Sequence, residues 1–210
     1  MSTNETRFAA MVLCGGKSSR MGSPKMLLPF GDELVLHRIV RIASSVVSPV
    51  AVVKAEDQTL PQLPDETIVV SDQHENKGPL AGLYSGLTAL NQVADAVYAT
   101  SCDAPLLAPQ FMRHICDQLS DADMVICRDG QYHHPLAAVY RTHLANNIAR
   151  LISEERLRPV FLIDDCNARV IDVETARHVD PNLDSLRNMN TPDDYKTLLA
   201  ESGLAVTGED

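Results

Sequence analysis

The stretch FAAMVLCGGKSSRMGSPK, residues 8–25, decides the fold that this chain is expected to adopt. It opens with an apolar run, Phe8–Leu13, of the length and composition of a buried strand. The residues that follow include three cations and no acid, although the whole chain has a formal net charge of -10. Paired glycines, Gly15 and Gly16, let the backbone approach a ligand closely and turn N–H groups towards it. A cationic glycine turn after a first strand therefore predicts a loop that holds the phosphates of a nucleoside triphosphate.

Two better-known phosphate loops do not fit this stretch. A Walker loop requires a glycine five positions before its Gly-Lys-Ser step, and Met11 stands there, inside the predicted strand. The spacing of Gly15, Gly16 and Gly22 does not supply the G-x-G-x-x-G fingerprint of dinucleotide-binding proteins. An ordinary surface loop of glycine and serine remains as the alternative. The charge asymmetry and the preceding strand disfavour that interpretation.

Strands and amphipathic helices alternate along the chain, which is typical of a three-layer α/β/α sandwich with a mostly parallel mixed sheet. Residues 124–127 and 136–140 have only a polar loop between them, so we expect this pair to be antiparallel. We predict one domain over residues 1–210, with flexible ends at 1–7 and 203–210. The predicted strands are 8–13, 50–54, 67–71, 94–101, 124–127, 136–140 and 169–173, and the predicted helices are 33–47, one after Gly78, one with Phe111 and Leu119, 142–154, 159–165 and one capped by Thr191.

Composition and charge narrow the classes of function. A pI of about 5.1 disfavours a nucleic acid partner, whereas a small anion can still bind at a local basic loop. The chain has no apolar run of about 18 residues or more, which disfavours a membrane protein. Its polar N-terminus lacks the basic segment followed by an apolar segment that marks a signal peptide. Its five cysteines are widely spaced and include no CxxC pair. These features predict a cytoplasmic protein with reduced thiols.

Two acidic residues follow predicted strands, at the edge where ligands bind in sheets of this kind. Asp72 follows the third strand, and Asp103 follows the fourth within the segment SCDAP, residues 101–105. A triphosphate brings Mg²⁺, which takes one or two protein carboxylates together with phosphate oxygens and water. Asp103 is therefore the predicted metal ligand, and Asp72 is a predicted contact to the nucleotide or the metal. Alternatively, Asp103 caps a turn or helix, and Asp72 is an ordinary strand-end residue.

Three further segments place small or polar residues where a ligand could bind. The segment GPLAGL, residues 78–83, opens a helix with free N–H groups, or its glycines serve tight packing of helix on sheet. His133 and His134 precede a predicted strand, where an imidazole could contact a substrate or simply face solvent. Asn188 and Asn190 stand just before the last helix, and capping could account for one of them but hardly both.

Taken in order, these segments resemble the molybdenum cofactor guanylyltransferases, within the large nucleotidyltransferase family that includes the sugar-phosphate nucleotidylyltransferases. The resemblance covers the chain from Leu13 to about Leu199. The first segment is similar to L-x-G-G-x-S-x-R-M-G-x-x-K, with Cys14 where alanine is usual. The later blocks are GPLAG (78–82), CDAP (102–105), HPL (134–136) and NMNTP (188–192). The resemblance implies a Rossmann-like nucleotidyltransferase fold and Mg²⁺-dependent transfer of GMP from GTP to molybdopterin, with release of pyrophosphate.

The resemblance also implies roles for individual residues, apart from two positions that depart from the family. Pro24 stands where an aspartate often precedes the loop lysine, and Lys54 stands about where relatives contact the nucleotide through an asparagine. No role is assigned to either. The implied nucleotide contacts are Leu13, Cys14, Gly15, Gly16, Lys25, Asp72 and Asp103, the implied catalytic residues are Arg20, Lys25 and Asp103, the implied metal ligand is Asp103, and His134, Asn188 and Asn190 are assigned to the pterin or to the metal.

Other functions remain open at this point. Cytidylyltransferases of the same pterin tend to carry Ala-Gly at the positions of Gly15 and Gly16 and lack the GPLAG block, so guanine is favoured. Sugar-phosphate nucleotidyltransferases are usually longer chains. A non-catalytic carrier of the nucleotide or pterin would not require a metal ligand, so Arg20, Lys25 and Asp103 together favour catalysis. GTP and molybdopterin are the expected small-molecule partners, and proteins that mature molybdoenzymes are suggested as further ones.

Overall fold

A seven-stranded sheet forms the middle layer of the computed structural model, which describes residues 5–15, 23–72 and 77–204. The strands are β1 (Phe8–Leu13), β2 (Pro29–Phe30), β3 (Glu33–Leu34), β4 (Val50–Ala55), β5 (Ile68–Asp72), β6 (Ala96–Ser101), β7 (Met124–Asp129), β8 (Tyr132–Arg141) and β9 (Ala168–Asp172). Seven of them form the sheet, in the order β5-β4-β1-β6-β8-β7-β9, and of these seven described strands β8 alone runs antiparallel to both of its neighbours. β2 and β3 pair with each other, antiparallel, outside this sheet. The predicted mostly parallel mixed sheet is therefore confirmed.

Helices cover both faces of this sheet. They are α1 (Val35–Ser44), α2 (Pro79–Leu90), α3 (Pro109–Asp117), α4 (Ala145–Ser153) and α5 (Pro192–Glu201). One core joins α1 and α3 to the face that carries Val12, and the other joins α2 and α4 to the face that carries Met11. Successive β1 residues enter opposite cores because side chains alternate across a strand. This arrangement confirms the predicted three-layer sandwich.

Glycines bring α2 very close to β1, the strand that leads into the predicted loop. A Cβ on Gly82 would lie 2.9 Å from Leu13 Cδ2, and one on Gly86 would lie 2.6 Å from Met11 Sδ. Any side chain at these positions would displace the strand residues or the helix. Two roles were considered for the glycines of residues 78–83: ligand binding at a helix start, and tight packing of the helix on the sheet. For Gly82 the structure supports tight packing.

The two histidines lie inside a strand rather than before one, contrary to the prediction. β8 begins at Tyr132 because its first residues pair with the outer part of β7, beyond a β-bulge between Ile126 and Cys127. The alternation that marks the second part of β8 is interrupted opposite this bulge, so sequence patterning detects only the regular part. His133 and His134 consequently have fixed backbone positions in the sheet.

Several helix boundaries also differ from those predicted. The first helix begins at Val35, because Glu33–Leu34 pair with Pro29–Phe30 in a separate two-stranded ribbon. The predicted helices 142–154 and 159–165 are partly or wholly 3₁₀, over Thr142–Leu144 and Pro159–Asp164.

Within the described ranges, none of the helices combines the length and the apolar character needed to cross a membrane.

Candidate active site

The strands that precede the candidate residues end together at one edge of the sheet. β1, β4, β5 and β6 are parallel, so their carboxyl ends share that edge. β8 is antiparallel to β6 and therefore brings its first residues to the same edge. Gly15 lies two residues after β1, Asp72 is the last residue of β5, and Asp103 lies two residues after β6. The topology thus gathers along one edge residues that are distant in sequence.

Lys25 connects two of the predicted site residues. Its Nζ lies 3.4 Å from Asp103 Oδ2 and donates a hydrogen bond of 3.0 Å to Asn190 Oδ1. The Lys25 and Asp103 side chains are only 15% and 22% exposed, so water screens their charges incompletely. The structure therefore gathers one cation, one carboxylate and one amide at the carboxyl end of β6.

Neighbouring groups fix the orientation of Asp103. The Ser101 hydroxyl donates a hydrogen bond to Asp103 Oδ1, which leaves Oδ2 directed towards Lys25. The Asp103 carbonyl accepts a hydrogen bond of 2.8 Å from the N–H of Met189. Arg38 on α1 donates a hydrogen bond of 2.7 Å to the Pro105 carbonyl. The turn after β6 is thus held from both sides, which presents its carboxylate in one orientation.

The start of α5 fixes the backbone of Asn190. Thr191 caps the helix as predicted, and Asp194 completes a capping box by accepting hydrogen bonds from the N–H groups of Asn190 and Thr191 at 2.9 and 2.8 Å. These backbone hydrogen bonds hold the pKa of the Asp194 carboxyl below its usual range. Met189 is fully buried between the two exposed residues Asn188 and Asn190. Capping therefore employs the Asn190 backbone and leaves its side-chain amide for Lys25.

The backbone at the end of β1 is tied to the neighbouring strands up to Cys14 and becomes exposed at Gly15. The Leu13 carbonyl accepts the N–H of Cys102 at 3.0 Å, and the Cys14 N–H donates to the Val53 carbonyl at 2.8 Å. The Cys14 thiol is buried, and its hydrogen bond with the Cys102 thiol, together with burial, raises its pKa. Gly15 is exposed, with open space where a side chain would be. The Cys14 N–H and carbonyl are also engaged, by Val53 and by Gln58, so at this end of the strand the exposed residue Gly15 is the one that offers its backbone to a ligand.

Asp72 lies at the same edge but far from Asp103. β5 and β6 are separated by β4 and β1, which at about 4.8 Å per strand spacing puts them roughly 14 Å apart. The Ser85 hydroxyl on α2 donates a hydrogen bond of 3.1 Å to Asp72 Oδ1. The structure therefore does not bring Asp72 and Asp103 to one metal ion. The ammonium group of Lys54 donates instead to the carbonyls of Ala55 and Glu56, at 3.2 and 2.7 Å.

His134 lies on the other side of Asp103, in β8. Its imidazole is half-buried, and burial lowers its pKa from the ordinary histidine range. Its Nε2 is buried and has no hydrogen-bond partner among the described residues. The pairing of Ala99 with Ala138 carries the start of β8 past the end of β6 towards Asp103. His134 thus contributes a polar group to the edge of the sheet beside the end of β6.

Two of the predicted residues, Gly16 and Arg20, lie outside the described residues, as do Lys17, Ser18 and Ser19. Among the residues that the structure does describe, no group of three or more histidine, cysteine, aspartate or glutamate side chains could hold a metal ion. A divalent cation bound at Asp103 would therefore need further oxygen ligands from a phosphate or from water, as Mg²⁺ commonly has.

Sequence reasoning missed residues that support the site without a motif of their own. Ser101 and Arg38 position the Asp103 turn, and Gln58 contacts the end of β1 from the connection after β4. The short spacing of Ser101 and Asp103 could have suggested their hydrogen bond. Nothing in the sequence relates Gln58 or Arg38 to the site, because their contacts depend on which strands are neighbours.

Comparison with known proteins gives results that agree with this geometry. The family described as "MobA-like NTP transferase domain" matches residues 10–168. A protein of Mycobacterium avium (strain 104), named "Probable molybdenum cofactor guanylyltransferase", is 33% identical over 199 residues, which cover 91% of this chain and 95% of that protein. This match spans both Asp103 and the asparagines that precede α5.

Solved structures share the fold. Molybdopterin-guanine dinucleotide biosynthesis protein A from Archaeoglobus fulgidus superimposes with a TM-score of 0.78 at 21% identity, over 93% of this chain and 98% of that one. The manganese complex of a Mycobacterium tuberculosis H37Rv protein superimposes with a TM-score of 0.65 at 22% identity, over 93% and 99%. At these identities the likeness concerns the arrangement of strands and helices.

Proposed function

The chain belongs to the family of MobA-like NTP transferases, and from this membership we propose that it transfers GMP from GTP to the terminal phosphate of molybdopterin. The observation that carries the proposal is the contact of Lys25 with both Asp103 and Asn190 at the end of β6. Such a group of a cation and two oxygen ligands suits a phosphate chain that binds with a divalent cation. The relative from Mycobacterium avium supports the choice of guanine and of the molybdenum cofactor.

The proposed reaction is a substitution at phosphorus. An oxygen of the molybdopterin phosphate bonds to the α-phosphorus of GTP, and the bond from that phosphorus to the bridging oxygen of the β-phosphate breaks. The products are a pterin–GMP diphosphate and pyrophosphate, which takes the electron pair of the broken bond. The attacking phosphate oxygen is already anionic, so the reaction needs no general base and no covalent enzyme intermediate. The enzyme acts by holding two anions in line and compensating their charge.

Lys25 is the group proposed to compensate charge on the α-phosphate. Its ammonium is held between Asp103 Oδ2 and Asn190 Oδ1, so its position is fixed before substrates arrive. The Asp103 carboxylate is also a hard oxygen ligand that fits Mg²⁺, and its remaining lone pairs could hold the metal beside the Lys25 ammonium. When bound, Mg²⁺ would supply further positive charge at the phosphates. Arg20 is proposed, from the family resemblance alone, to contact the same phosphates.

The two substrates are proposed to bind on opposite sides of Asp103. The nucleoside would lie over the ends of β1, β4 and β5, where Leu13 and Cys14 lead into the exposed backbone of Gly15 and Asp72 offers a carboxylate. The separation of Asp72 and Asp103, roughly 14 Å across three strand spacings, supports a contact of Asp72 with the nucleoside rather than with the metal. The pterin would lie on the β8 side, near His134, Asn188 and Asn190. We further propose that the product passes to proteins that mature molybdoenzymes, in the cytoplasm, where the five free thiols would remain reduced.

Release of pyrophosphate tests the proposal directly. With GTP, Mg²⁺ and molybdopterin, the wild-type protein should release one pyrophosphate for each pterin dinucleotide formed. Asp103→Asn should lose at least about 100-fold in kcat, because it removes the proposed metal ligand's charge with little change in volume. The matched control is Asp65→Asn, which changes an exposed acid away from the site and should retain wild-type activity.

Other outcomes would replace the proposal with one of its alternatives. Faster turnover with CTP than with GTP would make the protein a cytidylyltransferase. Binding of GTP or molybdopterin without release of pyrophosphate would favour a carrier. Normal turnover by Asp103→Asn would remove Asp103 from the reaction.

A further inference from the structure

We propose that Gln58 is a positioning residue that ties the two ends of the nucleotide loop to the end of β4. Its side-chain Nε2 donates to the Cys14 carbonyl at 3.1 Å and to Met26 Sδ at 3.2 Å, and its Oε1 accepts the Ala55 N–H at 3.2 Å. Cys14 immediately precedes the glycine pair, and Met26 immediately follows Lys25. One amide therefore contacts both ends of the loop. The proposal rests on the proposed function for its kinetic consequences.

The three contacts also fix which way the amide faces. A backbone N–H can only donate and a carbonyl can only accept, so the oxygen must face Ala55 and the nitrogen must face Cys14. The reversed amide would place two donors together and two acceptors together. Both N–H groups of the amide then have partners, and the oxygen has one. Glutamine is the side chain whose length and chemistry fit all three groups at once.

The residues that Gln58 holds adjoin those that are proposed to contact the nucleotide. Cys14 and Met26 are both buried, so each gives the amide a firm support. Gly15, the next residue, offers exposed backbone on one side of the loop, and Lys25 reaches Asp103 and Asn190 on the other. A small shift of Cys14 relative to Met26 would therefore change the distance between the nucleoside contacts and Lys25. Gln58 keeps that distance constant without touching the substrate.

The alternative is that Gln58 only stabilises the turn after β4 through its contact with Ala55. Gln58→Glu separates the two roles because it keeps the oxygen that accepts the Ala55 N–H and removes both donors. Gln58→Met removes every hydrogen bond without introducing a charge, so it controls for repulsion between a glutamate and GTP. Gln110→Glu makes the same chemical change at an exposed position on α3 and is the matched control.

The kinetic test is the KM for GTP in the pyrophosphate assay. We expect Gln58→Glu and Gln58→Met to raise it about 10-fold, which corresponds to about 1.4 kcal/mol, with kcat within about threefold of wild type. Gln110→Glu should match wild type. A lower unfolding temperature with an unchanged KM would mean that Gln58 only supports the fold and would overturn the proposal. An increase confined to the charged variant would overturn it too.

A second readout is independent of the proposed reaction. Cys14 is buried, so iodoacetamide should label it slowly in the native wild-type protein. Release of its carbonyl should increase that rate at least about fivefold in both Gln58 variants, measured by mass spectrometry of the peptide that contains Cys14, while the rate at Cys127 stays constant. If the wild type released no pyrophosphate, the proposed function would be wrong. The labelling rate of Cys14 would still test whether Gln58 holds the end of β1 in place. Unchanged Cys14 labelling would overturn the positioning role.

Discussion

The ammonium group of Lys25 lies between acceptors that come from distant parts of the chain. Asp103 follows β6, and Asn190 precedes α5, so the three residues meet only in the folded protein. Because hydrogen bonds hold the backbone of both acceptor residues, the cation gains a fixed position. A fixed charge stabilises a transition state better than a mobile one, since no reorganisation is needed as charge develops.

The first prediction concerns this lysine. Lys25→Ala should lower kcat about 100- to 1,000-fold, in line with the loss of one fixed group that stabilises developing charge. The KM for GTP should change much less, because other loop residues, among them Arg20, are also proposed to contact the phosphates. Steady-state release of pyrophosphate measures both constants. Lys196→Ala, an exposed lysine on α5, is the control and should behave as wild type. A large rise in KM with unchanged kcat would show instead that Lys25 contributes equally to ground-state binding.

The helix α5 acts on the site through its first residues. Its capping box fixes the backbone of Asn190 and Thr191, and the N–H of neighbouring Met189 bonds to the Asp103 carbonyl. The C-terminal helix is thereby attached to the turn after β6. The sequence identified the cap itself, because threonine followed by proline and two acids is a local signal. The link between this cap and Asp103 depends on tertiary structure alone.

Removal of the cap should measure how much this attachment contributes to stability. Thr191→Ala should lower the free energy of unfolding by about 1 kcal/mol, the usual cost of losing an N-cap hydroxyl. Urea unfolding followed by circular dichroism gives the value. Thr197→Ala, at an exposed position of the same helix, should change it by less than about 0.5 kcal/mol. Equal effects of the two substitutions would show that the Thr191 hydroxyl contributes no capping energy.

The elements that sequence patterning predicted correctly are those with an uninterrupted pattern or a short connection. β1 and β6 are apolar runs buried on both faces, and the antiparallel pair β7 and β8 follows from a connection too short for a crossover. The ribbon of β2 and β3 was missed because two residues carry no detectable period. The start of β8 was missed because a bulge interrupts its alternation. Prediction thus failed where local geometry is irregular.

The candidate site divides in the same way. Asp103 and Lys25 could be proposed because an acid after a buried strand and a cation in a glycine loop are local signals. The separation of Asp72 from Asp103 could not be predicted from the sequence, because it depends on β4 and β1 lying between β5 and β6. Gln58 illustrates the limit most clearly, since its partner Cys14 is 44 positions away and no pattern connects them. The order of the strands in the sheet, on which these contacts depend, could not be predicted from the sequence.

At the scale of the whole molecule, an acidic protein places a lysine at its proposed anion site. The formal net charge is -10, yet Lys25 stands at the edge where the parallel strands end. Distant surface acids are screened by salt over about 8–10 Å, whereas charges at the site act at contact distance. The overall charge therefore disfavours long-range capture of anions, and the affinity for GTP that we propose would depend on the local groups of the site.

Binding of GTP should consequently stabilise the whole fold, since the site joins β1, β6 and α5. At a free concentration 100 times the dissociation constant, a ligand specific for the folded state adds about 2.7 kcal/mol. For a domain of this size, that corresponds to an increase of about 5–10 °C in the unfolding temperature. Differential scanning fluorimetry should show this shift with GTP and Mg²⁺ and a smaller one with CTP and Mg²⁺. In Asp103→Asn, GTP should give the same shift with Mg²⁺ as with a chelator, because the proposed metal contact is lost. A shift in this variant that still depends on Mg²⁺ would place the metal on other residues.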